Sequence, residues 1–261
     1  MSKIVFFDID GTICDDKMEI PESTVCAIKR LRENGHLAFL CSGRSRGNIR
    51  SEKLHAIGFD GIIASCGNYV EMNKEVLYEK ILDGELVKKI IRLCREHRMP
   101  IVLEGSKYLW LDENGFESDP YVDYLLADLG DCAIYLKEYT EDICINKFSA
   151  DIMEYTNFDA IRSELEDEFD FLLHEGNVVE CVPKGTSKAT GIQWLCKHLG
   201  IALEDTYAIG DSVNDLDMLG FVGHGIAMGN ASATAKEVAE YVTTDIHVDG
   251  IQNALAHYGL I

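Results

Sequence analysis

Short apolar runs alternate with stretches of helical period at both ends of the chain, and the runs stop abruptly at polar residues. Lys3 to Phe7 is a buried-strand pattern, and it ends in Asp8-Ile9-Asp10-Gly11-Thr12. Pro21-Glu22-Ser23-Thr24 opens a helix running to about Asn34, and Gly35 sits where a C-terminal glycine belongs. His36 to Cys41 reads as the next strand and is followed by Ser42-Gly43-Arg44. A helical stretch then leads to Gly58, and Gly61 to Ser65 reads as a third strand. This β-α-β-α-β order argues for a parallel sheet covered by helices, an α/β fold.

The C-terminal part repeats the rhythm. Thr186 or Ser187 suits the cap of a helix through Leu199, closed by Gly200. Thr206 to Gly210 is a strand ending at Asp211, Leu216 to Leu219 is helical, and His224 to Met228 is a strand. Helices follow around Ala233 to Ala239 and Gly250 to His257. Between these halves, roughly Asp83 to Val182, the texture changes. Helices are expected at Glu85 to Glu96 and Asp159 to Glu168. Strands are expected at Ile101 to Glu104, Tyr108 to Leu111, Ile143 to Phe148, Phe169 to Leu173 and Val178 to Val182. Glu113-Asn114-Gly115 and Glu175-Gly176-Asn177 supply turn signals. The expected organisation is a discontinuous core, residues 1–82 and 183–261, with an α/β insertion at 83–182.

In a parallel sheet all C-terminal strand ends lie on one edge, where ligands bind. Asp8 and Asp10, Ser42, and the trio Asp211, Asn214 and Asp215 all follow such strands, so residues far apart in sequence converge. Crowded carboxylates repel unless a cation holds them. An all-oxygen donor set without His or Cys suits magnesium, which completes its shell with phosphate oxygens. A carboxylate beside that cation can attack phosphorus, and one two residues on can move the proton. Each piece has a plainer reading: D-x-D suits an Asx-capped turn, Ser-Gly is a common strand exit, and Gly-Asp-Ser can open a helix. Their joint placement at strand ends favours the chemistry.

These motifs carry a resemblance. Asp8 to Thr12 (D-I-D-G-T), Ser42-Gly43-Arg44 and Gly210 to Asp215 (G-D-S-V-N-D) are similar to the first, second and fourth motifs of the haloacid dehalogenase superfamily. Ile209 to Ala231 resembles its Cof-type branch. The resemblance implies a Rossmann-like core with an inserted α/β cap that selects substrate. It implies Asp8 as nucleophile and Asp10 as general acid and base. Ser42 and Lys188 would be catalytic, and Ile9, Gly43, Arg44 and Asn214 would hold phosphate. Asp8, Asp10, Asp211 and Asp215 would hold Mg2+, the last directly or through water. Lys188 rather than Lys184 fits the third motif, because the family's lysine starts a helix after a small-residue loop. Relatives usually carry Asn-Gly after the third strand, whereas this chain has Cys66-Gly67-Asn68; the motif lysine is followed by Ala189 where Gly is usual.

The expected function is magnesium-dependent hydrolysis of a small-molecule phosphomonoester, a sugar phosphate or similar. A phosphomutase would keep both aspartates, while a silent binding domain would have lost one of Asp8, Asp10, Lys188 or Asp211. There is no G-x-x-x-x-G-K-[ST], no C-x-x-C and no H-E-x-x-H. A net charge of −21 disfavours nucleic acid and anionic membranes as partners. No apolar run approaches a membrane span or a secretory signal, and nine scattered Cys suit reduced, mostly buried thiols, so a cytoplasmic monomer or weak dimer is expected. Arg46, Trp110 and Asn230 are read as a solvated ion pair, an aromatic of the insertion's core and a helix cap, although the resemblance places the Asn230 loop near the site.

Overall fold

The computed structural model describes residues 2–112, 126, 129–174 and 177–261. The chain divides into two compact units, Met1–Gly43 with Ser51–Tyr78 and Ser187–Ile261, and Arg44–Arg50 with Glu79–Thr186. The second unit therefore begins before residue 83 and ends after 182. Leu82 belongs to its apolar core, Pro183 still pairs with Phe169, and the Gly47 amide donates to the Gly105 carbonyl.

The first unit is built on a sheet ordered β14-β13-β12-β1-β2-β3-β4-β5. Its strands are β1 (Ile4–Phe7), β2 (Leu37–Cys41), β3 (Gly61–Ala64), β4 (Tyr69–Met72), β5 (Glu75–Glu79), β12 (Thr206–Gly210), β13 (His224–Ala227) and β14 (Tyr241–Val242). From β14 to β3 every pairing is parallel, and β4 turns back antiparallel on β3. All four residues of β1 are buried, as a central parallel strand covered on both faces requires. From β1 the chain moves outward through β2 and β3, whereas β12, β13 and β14 run outward on the other side. The order thus reverses between β1 and β12, the place where open α/β sheets leave a crevice at their C-terminal edge.

Helices of this unit are α1 (Glu22–Glu33) and α2 (Glu52–Ile57), and after the insertion α5 (Lys188–Leu199), α6 (Leu216–Phe221), α7 (Ala233–Val238) and α8 (Gly250–His257). Ser187 caps α5 in a reciprocal capping box with Thr190, and Gly200 closes it at φ 68°. A cap of this kind contributes about 1 kcal/mol and fixes where the helix starts. Here the starting residue is Lys188.

The second unit carries α3 (Gly84–Glu96), α4 (Phe158–Leu165) and a sheet ordered β10-β11-β9-β6-β7-β8. Its strands are β6 (Ile101–Glu104), β7 (Leu109–Asp112), β8 (Ala133–Leu136), β9 (Lys147–Asp151), β10 (Phe169–Leu173) and β11 (Val178–Pro183). Among the described residues its strands pair antiparallel, except β7 with β8. One face packs Leu103, Trp110, Phe148 and Phe169 against Val87, Ile90 and Ile161 of the helices, so Trp110 is a core aromatic. The alternate residues Glu104, Lys147 and Glu180 form a buried ion cluster, with the Lys147 ammonium 2.9 Å from Glu104 and 2.6 Å from Glu180. Burial alone would raise the Glu180 carboxyl, but Lys147 and His174 outweigh it and hold it far below the usual carboxylate range.

The strand reading needs correction in two respects. The strand expected at Ile143 to Phe148 lies instead at Lys147–Asp151; Ile143 and Ile145 are buried in the preceding loop. Strands β4, β5, β8 and β14 had not been anticipated. The turn residues 113–115 and 175–176 lie outside the described residues. All nine cysteines are free, six of them buried. Among the described residues no helix is long and apolar enough to cross a membrane.

Candidate active site

The site grows from the C-terminal end of β1. Parallel pairing continues one residue past the strand, with the Asp8 amide donating to the Ile209 carbonyl at 3.0 Å. The chain then turns back: the Ile13 and Cys14 amides both donate to the Ile9 carbonyl, and the Gly11 amide donates to Cys14 at 2.8 Å. Asp8 is left buried at the edge, while Asp10 is exposed. Gly11 lies at φ 79°, and a Cβ there would meet Asp211 Oδ2 at 2.4 Å. Only glycine lets these two loops approach so closely. Thr12 uses the approach, its hydroxyl donating to Asp211 Oδ1 at 2.8 Å.

From the other side of the switch point, β12 delivers Asp211, Asn214 and Asp215. The Asp215 side chain turns inward and is fully buried. Its Oδ2 accepts from the Asp211 and Ser212 amides, both at 2.9 Å, and from the Ser212 hydroxyl at 3.3 Å. Its Oδ1 accepts from the Lys188 ammonium at 2.5 Å. Lys188 also donates to Asp8 Oδ1 at 2.6 Å and to Asn214 Oδ1 at 3.1 Å. At 1% exposure Lys188 is among the most buried side chains of the molecule. It enters because Ser187 starts α5 there, and because Gly67, packed against the Ser187 carbonyl, leaves no room for a Cβ.

Ser42 is buried at the end of β2, its amide donating to Ile63 and its carbonyl accepting from Cys66. Residues Ser65, Cys66 and Gly67 all have positive φ, so the departure at Cys66 coincides with a left-handed turn. Lys184 is exposed, as expected of a surface charge, whereas Lys188 joins the carboxylates. Arg44 packs with the second unit and is not among the groups just described. Sequence reasoning assigned no role to Thr12 or Ser212. Both lie inside the recognised motifs, and both are short hydroxyl side chains beside a carboxylate, the signal that was available.

The electrostatics explain what the arrangement can hold. Ligand atoms of Asp8, Asp211 and Asp215 lie within 4.8 Å of one another. Burial, then the neighbouring Asp215, drives the Asp8 carboxyl well above its ordinary range, against the pull of Lys188. Burial would lower the Lys188 ammonium, but Asp215 and Asp8 outweigh it and raise it. Asp211 is pushed up to about 6 by burial and by Asp215. Three carboxylates against one ammonium leave two negative charges uncompensated, which a divalent cation would balance. The oxygen-only donor set fits magnesium.

A stability measurement tests this balance. Asp211 holds its proton to about pH 6 when folded but only to its ordinary 3.8 when unfolded. The resulting stabilisation is present below the unfolded value and is lost as pH rises through about 6. Thermal midpoints in chelator should therefore fall across that window, and magnesium should flatten the decline. A midpoint that climbs through the same window would contradict the charge assignment.

An α/β sheet with a lysine-bridged carboxylate cluster at its switch point defines a hydrolase of the phosphoryl-transfer kind. The chain belongs to the haloacid dehalogenase-like hydrolases: the profile of that family matches residues 5–255. It is 32% identical over its whole length to the phosphatase candidate YkrA of Bacillus subtilis, covering 99% of that protein. It is 26% identical to the 5-amino-6-(5-phospho-D-ribitylamino)uracil phosphatase YitU of the same organism, over 98% of this chain and 97% of that one. A solved sugar phosphatase of subclass IIB matches all of both chains with a TM-score of 0.81 at 26% identity. The protein is a Cof-type member of the family and a phosphoric monoester hydrolase.

Proposed function

We propose that the protein hydrolyses a small phosphomonoester, a sugar phosphate or a similar metabolite, through a phosphorylated Asp8 and with magnesium. The observation that carries this reading is the Lys188 ammonium bridging Asp8 and Asp215 beside Asp211 at the C-terminal edge of the sheet. Asp8, the Asp10 carbonyl and Asp211 would hold the cation directly. Asp215 would act through water, because its Oδ2 already accepts three hydrogen bonds and its Oδ1 faces Lys188. Bound magnesium supplies positive charge for the phosphoryl oxygens and keeps the carboxylates ionised.

The chain's own groups do the rest. Asp8 attacks phosphorus as the bond to the substrate oxygen breaks, and Asp10 gives that oxygen its proton. Asp10, now ionised, takes a proton from a water that attacks the same phosphorus, returning Asp8 and releasing phosphate. Ser42, with the Ile9 and Gly43 amides, binds the phosphoryl oxygens, Lys188 and Asn214 complete their cradle, and Arg44 steers the anion against the molecule's net charge of −21. The second unit acts as the cap that selects substrate. Support for the sugar-phosphate class comes from the subclass IIB relative.

The test is release of inorganic phosphate from p-nitrophenyl phosphate and from a panel of phosphorylated metabolites. Turnover that requires magnesium and stops in chelator is expected. Undiminished turnover in chelator would remove the metal from the scheme.

A further inference from the structure

Asn230 follows β13, and the helix after it is capped by Ser232, whose hydroxyl accepts from the Ala235 amide at 3.2 Å. Asn230 is not that cap. Its Nδ2 donates to the Gly11 carbonyl at 2.8 Å, and its Oδ1 accepts from the Ile246 amide at 3.0 Å. The two bonds settle the orientation of the side-chain amide, since a flipped amide would face a donor with a donor and an acceptor with an acceptor. The loop around it is itself anchored. The Met228 amide donates to Gly210, Gly229 to Thr244 and Ser232 to the Asp211 carbonyl, at 3.0, 3.0 and 2.8 Å. One loop therefore grips both strand-end turns of the site, Asp211 through a backbone amide and Gly11 through a side chain.

Gly11 is the residue that needs gripping. With no Cβ and φ at 79°, its peptide has the widest rotational freedom in the turn, and it immediately follows Asp10. The Gly11 amide is held by Cys14, so its carbonyl is the remaining free end, and Asn230 takes it. We propose that Asn230 is a positioning residue for Asp10: by fixing the Gly11 carbonyl it sets the direction from which the Asp10 carboxyl reaches the leaving oxygen. This rests on the reading of Asp10 as the general acid.

A positioning role for an acid shows itself in the leaving group. p-Nitrophenolate departs without a proton, whereas an alkoxide needs one, so in the phosphorylation of Asp8 a misplaced acid slows only the second; the later hydrolysis uses Asp10 as base for either substrate, so the first step is the one to read. Asn230→Ala and Asn230→Asp should lower the single-turnover rate of ethanol release from ethyl phosphate by about tenfold and that of p-nitrophenolate release by less than about twofold, with half-saturating concentrations of both nearly unchanged. Asn230→Asp keeps the acceptor for Ile246 and loses the donor for Gly11, so it should behave like the alanine variant. Asn230 is exposed, so the thermal midpoint should move little. Asp10→Asn, measured in the same single-turnover release from the two substrates, separates the two claims. If Asp10→Asn discriminates between the substrates and the Asn230 variants slow both equally or neither, the positioning role is overturned and the acid stands. If Asp10→Asn does not discriminate, the acid assignment falls and the positioning role falls with it.

Discussion

Lys188→Met is expected to cost the protein both turnover and about 3–5 kcal/mol of stability near neutral pH without magnesium. The magnitude follows from what is left behind. Asp8 and Asp215 are 5% and 0% exposed, and Lys188 donates to both. Without it, two carboxylates face each other in a site that already drives the Asp8 carboxyl upward. They can escape only by taking up protons, so the stability deficit should shrink on acidification, and magnesium should restore part of it. Urea denaturation at two pH values, with and without magnesium, checks all three expectations. A loss confined to activity, with unaltered stability, would mean that the lysine is not the counter-ion of the buried pair.

Asp8→Asn should lower phosphate release by on the order of ten-thousandfold or more, since in the proposed scheme Asp8 takes the phosphoryl group. Its effect on stability should be opposite in sign to that of Lys188→Met. The ordinary carboxyl is raised by burial and by Asp215, so a neutral amide of the same shape relieves repulsion in the metal-free protein. Lys188 keeps Asp215 as its partner. The variant should melt higher than the parent in chelator, and magnesium should raise its midpoint less. Denaturation scans with and without magnesium provide the comparison. Function and stability pull against each other at this residue: the group that makes the site reactive also makes it strained.

The strand-end polar residues were legible because a parallel sheet turns a one-dimensional pattern into an edge. A buried run that stops at Asp8 and another that stops at Asp211 must meet if β1 and β12 are neighbours, and they are. Lys188 was legible against Lys184 for a local reason, the Ser187 cap that starts a helix on it. The missed elements were hidden by their turns and by their partners. Strands β4 and β5 are joined through Asn73 and Lys74, both at positive φ, a primed hairpin geometry in which the expected Gly is replaced by Lys. Strand β9 was displaced in the reading because Lys147 and Ser149, on the face opposite the apolar core, look solvent-facing until Glu104 and Glu180 supply their partners. The apolar Ile143 and Ile145 imitate a strand while filling a loop. Asn230 was read as a cap because its true partners, Gly11 and Ile246, lie 219 and 16 residues away in sequence.

The central claim is that phosphate passes through Asp8. Asp10→Asn should load that carboxylate and then stall, because the water that clears it lacks a base. Protein quenched during exposure to p-nitrophenyl phosphate and reduced with borohydride should carry homoserine in the peptide containing residues 5–12, at Asp8 alone, since an acyl phosphate is reduced and a phosphoserine is not. Phosphate recovered on Ser42, or no modified peptide at all despite continued turnover, would contradict the account.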